Sequence, residues 1–167
     1  MTTPPAPAIA TLIVSPLASR IRDGRVRRRI VGQATDALRA RGHREVVVVE
    51  TGAPEEIRQA AATAVRDGAS VIAVAGGDGT LRDAAAAIAG TGVSMGIVPC
   101  GTGNLYASSI GVPRNIDRAV AALATGVPLA FDMGDVRVEP PVAGAGGPAG
   151  SPPPPAPMPF LVACGTG

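Results

Sequence analysis

The chain has 167 residues, a usual length for one domain, and is 46% hydrophobic but only 2% aromatic, so Val, Ile, Leu and Ala must fill its core. Its formal net charge of +2 and its few base-stacking side chains exclude nucleic acid as a partner. All 15 basic residues are Arg, which rules out a Gly-Lys-Ser/Thr phosphate loop and leaves guanidinium for any side-chain recognition of phosphate.

Residues 1–8 read as a disordered Pro-rich lead, and Ile9 to Ser15 as an apolar strand stopped by Pro16. Asp23 to Arg41 reads as a helix with Ile30, Ala34, Ala37 and Leu38 on one face, ending at Gly42. Val46 to Val49 follows as a second buried strand. Thr51 to Pro54 opens another helix, with Pro54 in its first turn and Glu55 and Glu56 at its positive end; it runs to about Asp67 and ends at Gly68.

Ser70 to Val74 is the third strand, and it feeds Ala75-Gly76-Gly77-Asp78-Gly79-Thr80-Leu81. Thr80-Leu81-Arg82-Asp83 has capping-box spacing, with Asp in place of Glu, before a helix that reaches Gly90. A fourth strand, Ser94 to Val98, leads to a second glycine turn, Pro99-Cys100-Gly101-Thr102-Gly103-Asn104. A short helix over Leu105–Ile110 and one capped by Asn115 and ending near Gly126 complete this part. The alternation predicts an α/β fold, a Rossmann-like parallel sheet with right-handed crossovers.

Leu129 to Val138 predicts one or two short strands around Asp132-Met133-Gly134, and Phe160 to Cys164 another. Between them, 139–159 is almost wholly Pro, Gly and Ala and is assigned no structure. A strand at Phe160 needs partners that the remaining sequence does not supply. The chain therefore reads as incomplete, with 9–128 a nucleotide-binding domain and 129–138 and 160–167 the first strands of a β-rich second domain.

The two glycine turns fall at the carboxyl ends of successive strands, where ligands of such sheets bind. Glycine lets backbone approach a ligand, and a helix start offers unpaired N–H groups to phosphate. Gly76, Gly77 and Gly79 are thus close-approach positions, and Gly101, Thr102, Gly103 and Asn104 are ligand-facing, Asn104 toward base or ribose. Asp78 is the candidate for orienting Mg²⁺ or a nucleotide hydroxyl, against a plain Asx turn. Thr80 serves as helix cap, nucleotide contact or both, and Thr51 reaches nucleotide from the second strand's end or only caps a helix. Asp83 reads as a helix-start charge, with a ligand as the alternative, Tyr106 as packing, His43 as a solvated surface residue and Cys100 as a small loop residue.

Arg25, Arg27, Arg28 and Arg29 form the dense basic patch, a solvated helix face with anionic lipid headgroups as the alternative. Two distant cysteines without metal-like spacing, no signal-peptide pattern and no membrane-length apolar run predict a cytoplasmic protein, at most peripheral at the inner face of a membrane.

Gly76-Gly77-Asp78-Gly79-Thr80, Pro99-Cys100-Gly101-Thr102-Gly103-Asn104, Ile110-Gly111-Val112-Pro113 and the Asp-x-Gly at Asp132 together resemble the diacylglycerol kinase catalytic domain, shared by bacterial lipid kinases and sphingosine kinases. The resemblance covers about Ile9 to Val138 and implies a fold similar to NAD kinases. It also implies transfer of the γ-phosphate of ATP, with Mg²⁺, to a lipid alcohol of diacylglycerol or sphingoid type. Asp132 would join the metal network, the catalytic base would lie largely in the second domain, and this chain alone would be weak or inactive. Family sheets often pair, which puts a homodimer among the expected partners. Ser15-Pro16 stands where Asn-Pro is usual, Arg82-Asp83 where Asn-Glu is common, and Ser108 where Arg is frequent. An NAD kinase-like enzyme and a non-catalytic nucleotide-binding module are the alternatives.

Overall fold

The computed structural model of the protein describes residues 8–136 and 158–160. The chain divides into two units at Ala130/Phe131.

The first unit is built on β1 (Ile9–Val14), β2 (Glu45–Glu50), β3 (Ala69–Gly76) and β4 (Ser94–Pro99), all parallel, in the order β2-β1-β3-β4. The helices are α1 (Gly24–Ala40), α2 (Pro54–Arg66), α3 (Asp78–Ile88), α4 (Leu105–Ser109) and α5 (Ile116–Thr125). From β1 the chain crosses to β2 on one side and returns to β3 on the other. The sheet therefore has its topological switch between β1 and β3, the place where open α/β sheets form a crevice at their carboxyl ends.

Sequence chemistry sets the element ends. The Asp23 carboxylate accepts the N–H groups of Arg25 (2.7 Å) and Val26 (3.1 Å), which starts α1. Those two bonds, Val26 first, hold the Asp23 carboxyl below its ordinary range. Asn115 does the same for α5 through Arg118 N–H at 3.0 Å. Alternation along β1 sends Ala10, Leu12 and Val14 into one core with Ile30, Ala34 and Leu38 of α1 and Val120 and Leu123 of α5. Ile13, Ile72 and Val74, on the other face, are equally buried, as are Ile57, Ala61, Leu81 and Ala84 of α2 and α3. Each fully buried Ile or Leu contributes about 1.5–3 kcal/mol.

Two expectations fail here. The β2 valines are not a buried strand: among the described residues β2 pairs only with β1, and as an edge strand it leaves Val47 and Val48 about two-fifths exposed. His43 is not solvated either. It is 6% exposed, and neither ring nitrogen has a hydrogen-bond partner among the described residues. The nearby Ala8 carbonyl is engaged with Arg44 N–H at 3.1 Å. Burial, and then the Arg41 charge, push the His43 pKa down.

In the second unit, β5 (Gly134–Val136) pairs antiparallel with β6 (Met158–Phe160), Asp135 opposite Pro159. Met158 and Pro159, placed by sequence at the end of the insertion, are thus strand residues. Residues 1–7, 137–157 and 161–167 lie outside the described residues, and with them the lead, most of the insertion and the rest of the Phe160–Cys164 strand.

Candidate functional site: two glycine loops at the sheet switch

A cleft of about 440 Å³ opens at the carboxyl ends of the strands, within the usual size of a small-molecule site. Its lining includes Ser15 and Ser19 after β1, Gly52 after β2, Gly77, Gly79 and Thr80 after β3, and Gly101 and Thr102 after β4. The four strand ends meet here because parallel strands carry all their exits to one edge.

The two glycine loops pack backbone on backbone. A Cβ built on Gly101 would lie 2.6 Å from the Gly77 Cα, which nothing but glycine avoids. A Cβ on Gly76 would meet the Thr80 side chain at 2.5 Å. Gly79, by contrast, has open space around it. Gly77 is extended, and α3 begins at once behind it without any side-chain cap. The N–H groups of Asp78, Gly79 and Thr80 therefore stand in the first turn, where no intrahelical acceptor exists.

Thr80 is consequently not the cap that the capping-box spacing predicts. The helix starts two residues earlier, at Asp78, so Thr80 sits inside its first turn. Asp83 is not a helix-start charge either: it is the sixth residue of α3, is 2% exposed and takes Arg58 Nη1 at 2.7 Å and Arg82 Nη2 at 3.0 Å.

Asp78 reaches across to the second loop. Its Oδ2 accepts Leu105 N–H at 3.1 Å and its Oδ1 accepts Tyr106 N–H at 3.0 Å, so it caps α4. Asn104 leaves α4 uncapped because its own amide is spent elsewhere. Gly101 N–H donates to its Oδ1 at 2.9 Å, and its Nδ2 donates to Gly101 O at 2.7 Å. At 2% exposure, and with φ of 51° that Asn tolerates better than most residues, Asn104 braces the turn and does not face the cleft. Gly103 lies beside Asp78, a Cβ there coming 3.4 Å from its Oδ2. Thr51 is buried and donates its hydroxyl to Glu56.

Further ties hold the rim. Ser19 Oγ and Thr102 Oγ1 are 3.0 Å apart, and Arg20 Nη1 donates to Pro99 O (3.0 Å) and Arg114 O (2.8 Å). Cys100 is fully buried, which pushes its thiol up to about 12, although Arg20 works against the shift; it is no nucleophile. Tyr106 is buried, as its packing role requires, and burial raises its pKa.

The structure thus brings Gly77, Gly79, Thr80, Gly101 and Thr102 to one cleft, with Gly76, Asp78, Gly103 and Asn104 supporting it and Thr51 at the end of β2. Asp132 is an exposed residue of the second unit. No group of three or more His, Cys, Asp or Glu suited to a metal forms among the described residues. Sequence reasoning missed Arg22, Gly52 and Arg82 as cleft residues. Arg82 had a usable signal, since it stands two places after Thr80 on the helix that leaves the first loop.

The family model described as the diacylglycerol kinase catalytic domain matches residues 10–136. A Mycobacterium tuberculosis protein named diacylglycerol kinase is 36% identical over 110 residues, covering 64% of this chain and 36% of that protein. An Escherichia coli protein named "Probable lipid kinase YegS" is 34% identical over 74 residues, or 42% of this chain and 25% of that one. This chain thus spans between a quarter and little more than a third of the length of these curated relatives. A crystal structure of a Bacillus anthracis diacylglycerol kinase aligns over 81% of this chain and 43% of its own, with a TM-score of 0.59 and 22% identity, a likeness of fold. With two ordered glycine loops on a parallel sheet and a family match over most of its length, the chain belongs to the diacylglycerol kinase catalytic domain family.

Proposed function

We propose that this chain is the ATP-binding part of a lipid kinase that transfers the γ-phosphate to the hydroxyl of a diacylglycerol-type or sphingoid lipid. The observation that carries this reading is the contact between Gly77 and Gly101. It sets two side-chain-free loops against each other at the sheet switch, beside the uncapped first turn of α3. Backbone N–H groups there suit a polyphosphate, and phosphoryl transfer depends on positioning and charge neutralisation more than on covalent chemistry.

The donor set fits nucleotide better than a free metal ion. Both Asp78 oxygens are already engaged by α4, and Asp83 is held by two guanidinium groups. Mg²⁺ would therefore be held here as part of Mg-ATP, through the phosphates that the two loops orient. Bound so, it supplies neutralisation of the phosphate charge, while Gly77, Gly79, Thr80 and Thr102 orient the phosphates and Asp78 keeps the second loop in place. The lipid would approach from the solvent side of the cleft. No helix among the described residues is long and apolar enough to cross a membrane, and membrane contact on this reading is peripheral.

Calorimetric titration of the folded chain with ATP and Mg²⁺ tests the reading, and a silent titration at millimolar ATP sinks it. Transfer of labelled γ-phosphate to diacylglycerol or sphingosine, with NAD as the competing acceptor, separates a lipid kinase from an NAD kinase-like enzyme.

A further inference from the structure

Asp83 and its two arginines have no part in the glycine loops, yet Asp83 and Arg82 line the same cleft. Asp83 Oδ1 receives Arg58 Nη1 at 2.7 Å, Arg82 Nη2 at 3.0 Å and Arg82 Nε at 3.3 Å. Arg58 comes from α2 and is further paired with exposed Glu55 at 3.2 Å. A buried carboxylate is balanced by one cation. Here two guanidinium groups converge on it; Arg58 also holds Glu55, whereas among the described residues Asp83 is the one carboxylate paired with Arg82.

Arg82 lines the cleft together with Gly77, Gly79, Thr80 and Gly101, and 42% of its side chain is exposed. Asp83 engages Nε and Nη2, which fixes the guanidinium plane and leaves its remaining N–H donors for another acceptor. Much of the rotamer entropy of a free arginine is therefore already spent. Arg22 also lines the cleft, but it is exposed, and among the described residues no carboxylate holds it and its one side-chain bond, to Leu17 O, is 3.4 Å long.

We propose that Arg82, held in place by Asp83, clamps the terminal phosphoryl group of the nucleoside polyphosphate. This rests on the ATP reading of the cleft and deepens it. The loops supply uncharged backbone donors, and Asp78 adds a negative charge beside them, so a polyphosphate needs a fixed cation. In a chain without lysine, that cation is a guanidinium. Arg82 is the binding residue, Asp83 the positioning residue.

The test is calorimetric titration of ATP, ADP and AMP, at constant magnesium, into the full chain and its Arg82→Gln variant. Arg82→Gln should weaken ATP by about ten-fold or more, the scale of one charge-assisted hydrogen bond, leave AMP nearly unchanged, and flatten the salt dependence of ATP binding. Arg82→Lys should recover only part of the loss, because an ammonium cannot fork onto Asp83 and phosphate together. Asp83→Asn, with folding checked by its melting curve, should show the same selectivity for ATP loss over AMP loss. If Arg82→Gln binds ATP like the parent, or loses ATP and AMP alike, the clamp is overturned while the glycine-loop site stands. A parent chain that binds none of the three nucleotides overturns the ATP reading and the clamp with it.

Discussion

Gly77 and Gly101 touch at their Cα atoms, but not symmetrically. A methyl group on Gly101 would lie 2.6 Å from Gly77 and 3.0 Å from Asn104 Oδ1, whereas one on Gly77 would lie 3.3 Å from Gly101. Gly101→Ala must push one loop off the other, at a cost of about 1–3 kcal/mol. Gly77→Ala should cost clearly less. Urea midpoints of the two variants check this, and equal midpoints would contradict the asymmetry.

Asp78 should matter to folding as well as to any ligand. Asp78→Ala leaves Leu105 N–H and Tyr106 N–H without their acceptor, at a helix of only five residues with no cap of its own. A loss of about 1–2 kcal/mol is expected, in the range of an N-cap deletion. Asp78→Asn, which keeps one acceptor oxygen, should lose less. Hydrogen exchange at residues 105 and 106 is the local readout: protection like that of the parent in Asp78→Ala would show that the carboxylate does not hold α4.

The buried imidazole of His43 makes stability depend on pH. Its folded pKa is below the 6.5 of the free side chain, so the unfolded chain binds the proton more readily. Stability should then be level above about pH 6.5 and fall as the pH drops below it. His43→Phe should remove this part of the slope. Denaturation midpoints between pH 5 and 8 measure it, and parallel slopes for parent and variant would rule the imidazole out as its source.

Cys100 should be inert in the native protein. With its pKa pushed up to about 12 and its side chain fully buried, almost no thiolate exists at neutral pH. In a Cys164→Ser background, an aromatic disulfide reagent should label Cys100 only at the rate of unfolding. Rapid native labelling would show that the loop around it opens.

What the sequence made legible was local. The apolar runs, the turn glycines and the cap at Asn115 report on neighbours a few residues away, and they placed the strands and helices with small errors at the ends. Apart from the start of α3, where the capping-box spacing at Thr80 misplaced the helix by two residues, the misreadings involve contacts that periodicity does not encode. Four valines in a row describe a strand but not its place at the sheet edge, so Val47 and Val48 read as buried. Asp78 holds residues of the next loop, and Asp83 pairs with Arg58 of the preceding helix, neither marked by any local pattern. Asn104 could have been found, since Asn between a Gly-Thr-Gly turn and a helix is a natural left-handed position whose side chain folds back on the turn.

The crossing from Asp78 to α4 has a thermodynamic corollary. Neighbouring loops that are stapled to each other, the carboxylate of one on the peptide N–H groups that follow the other, share one set of motions, so neither can close over a guest while the other stays loose. Such a preassembled socket gives up little conformational entropy on occupation. Discrimination between guests must then come from the contacts they make, and shortening the phosphate chain should register chiefly in the enthalpy.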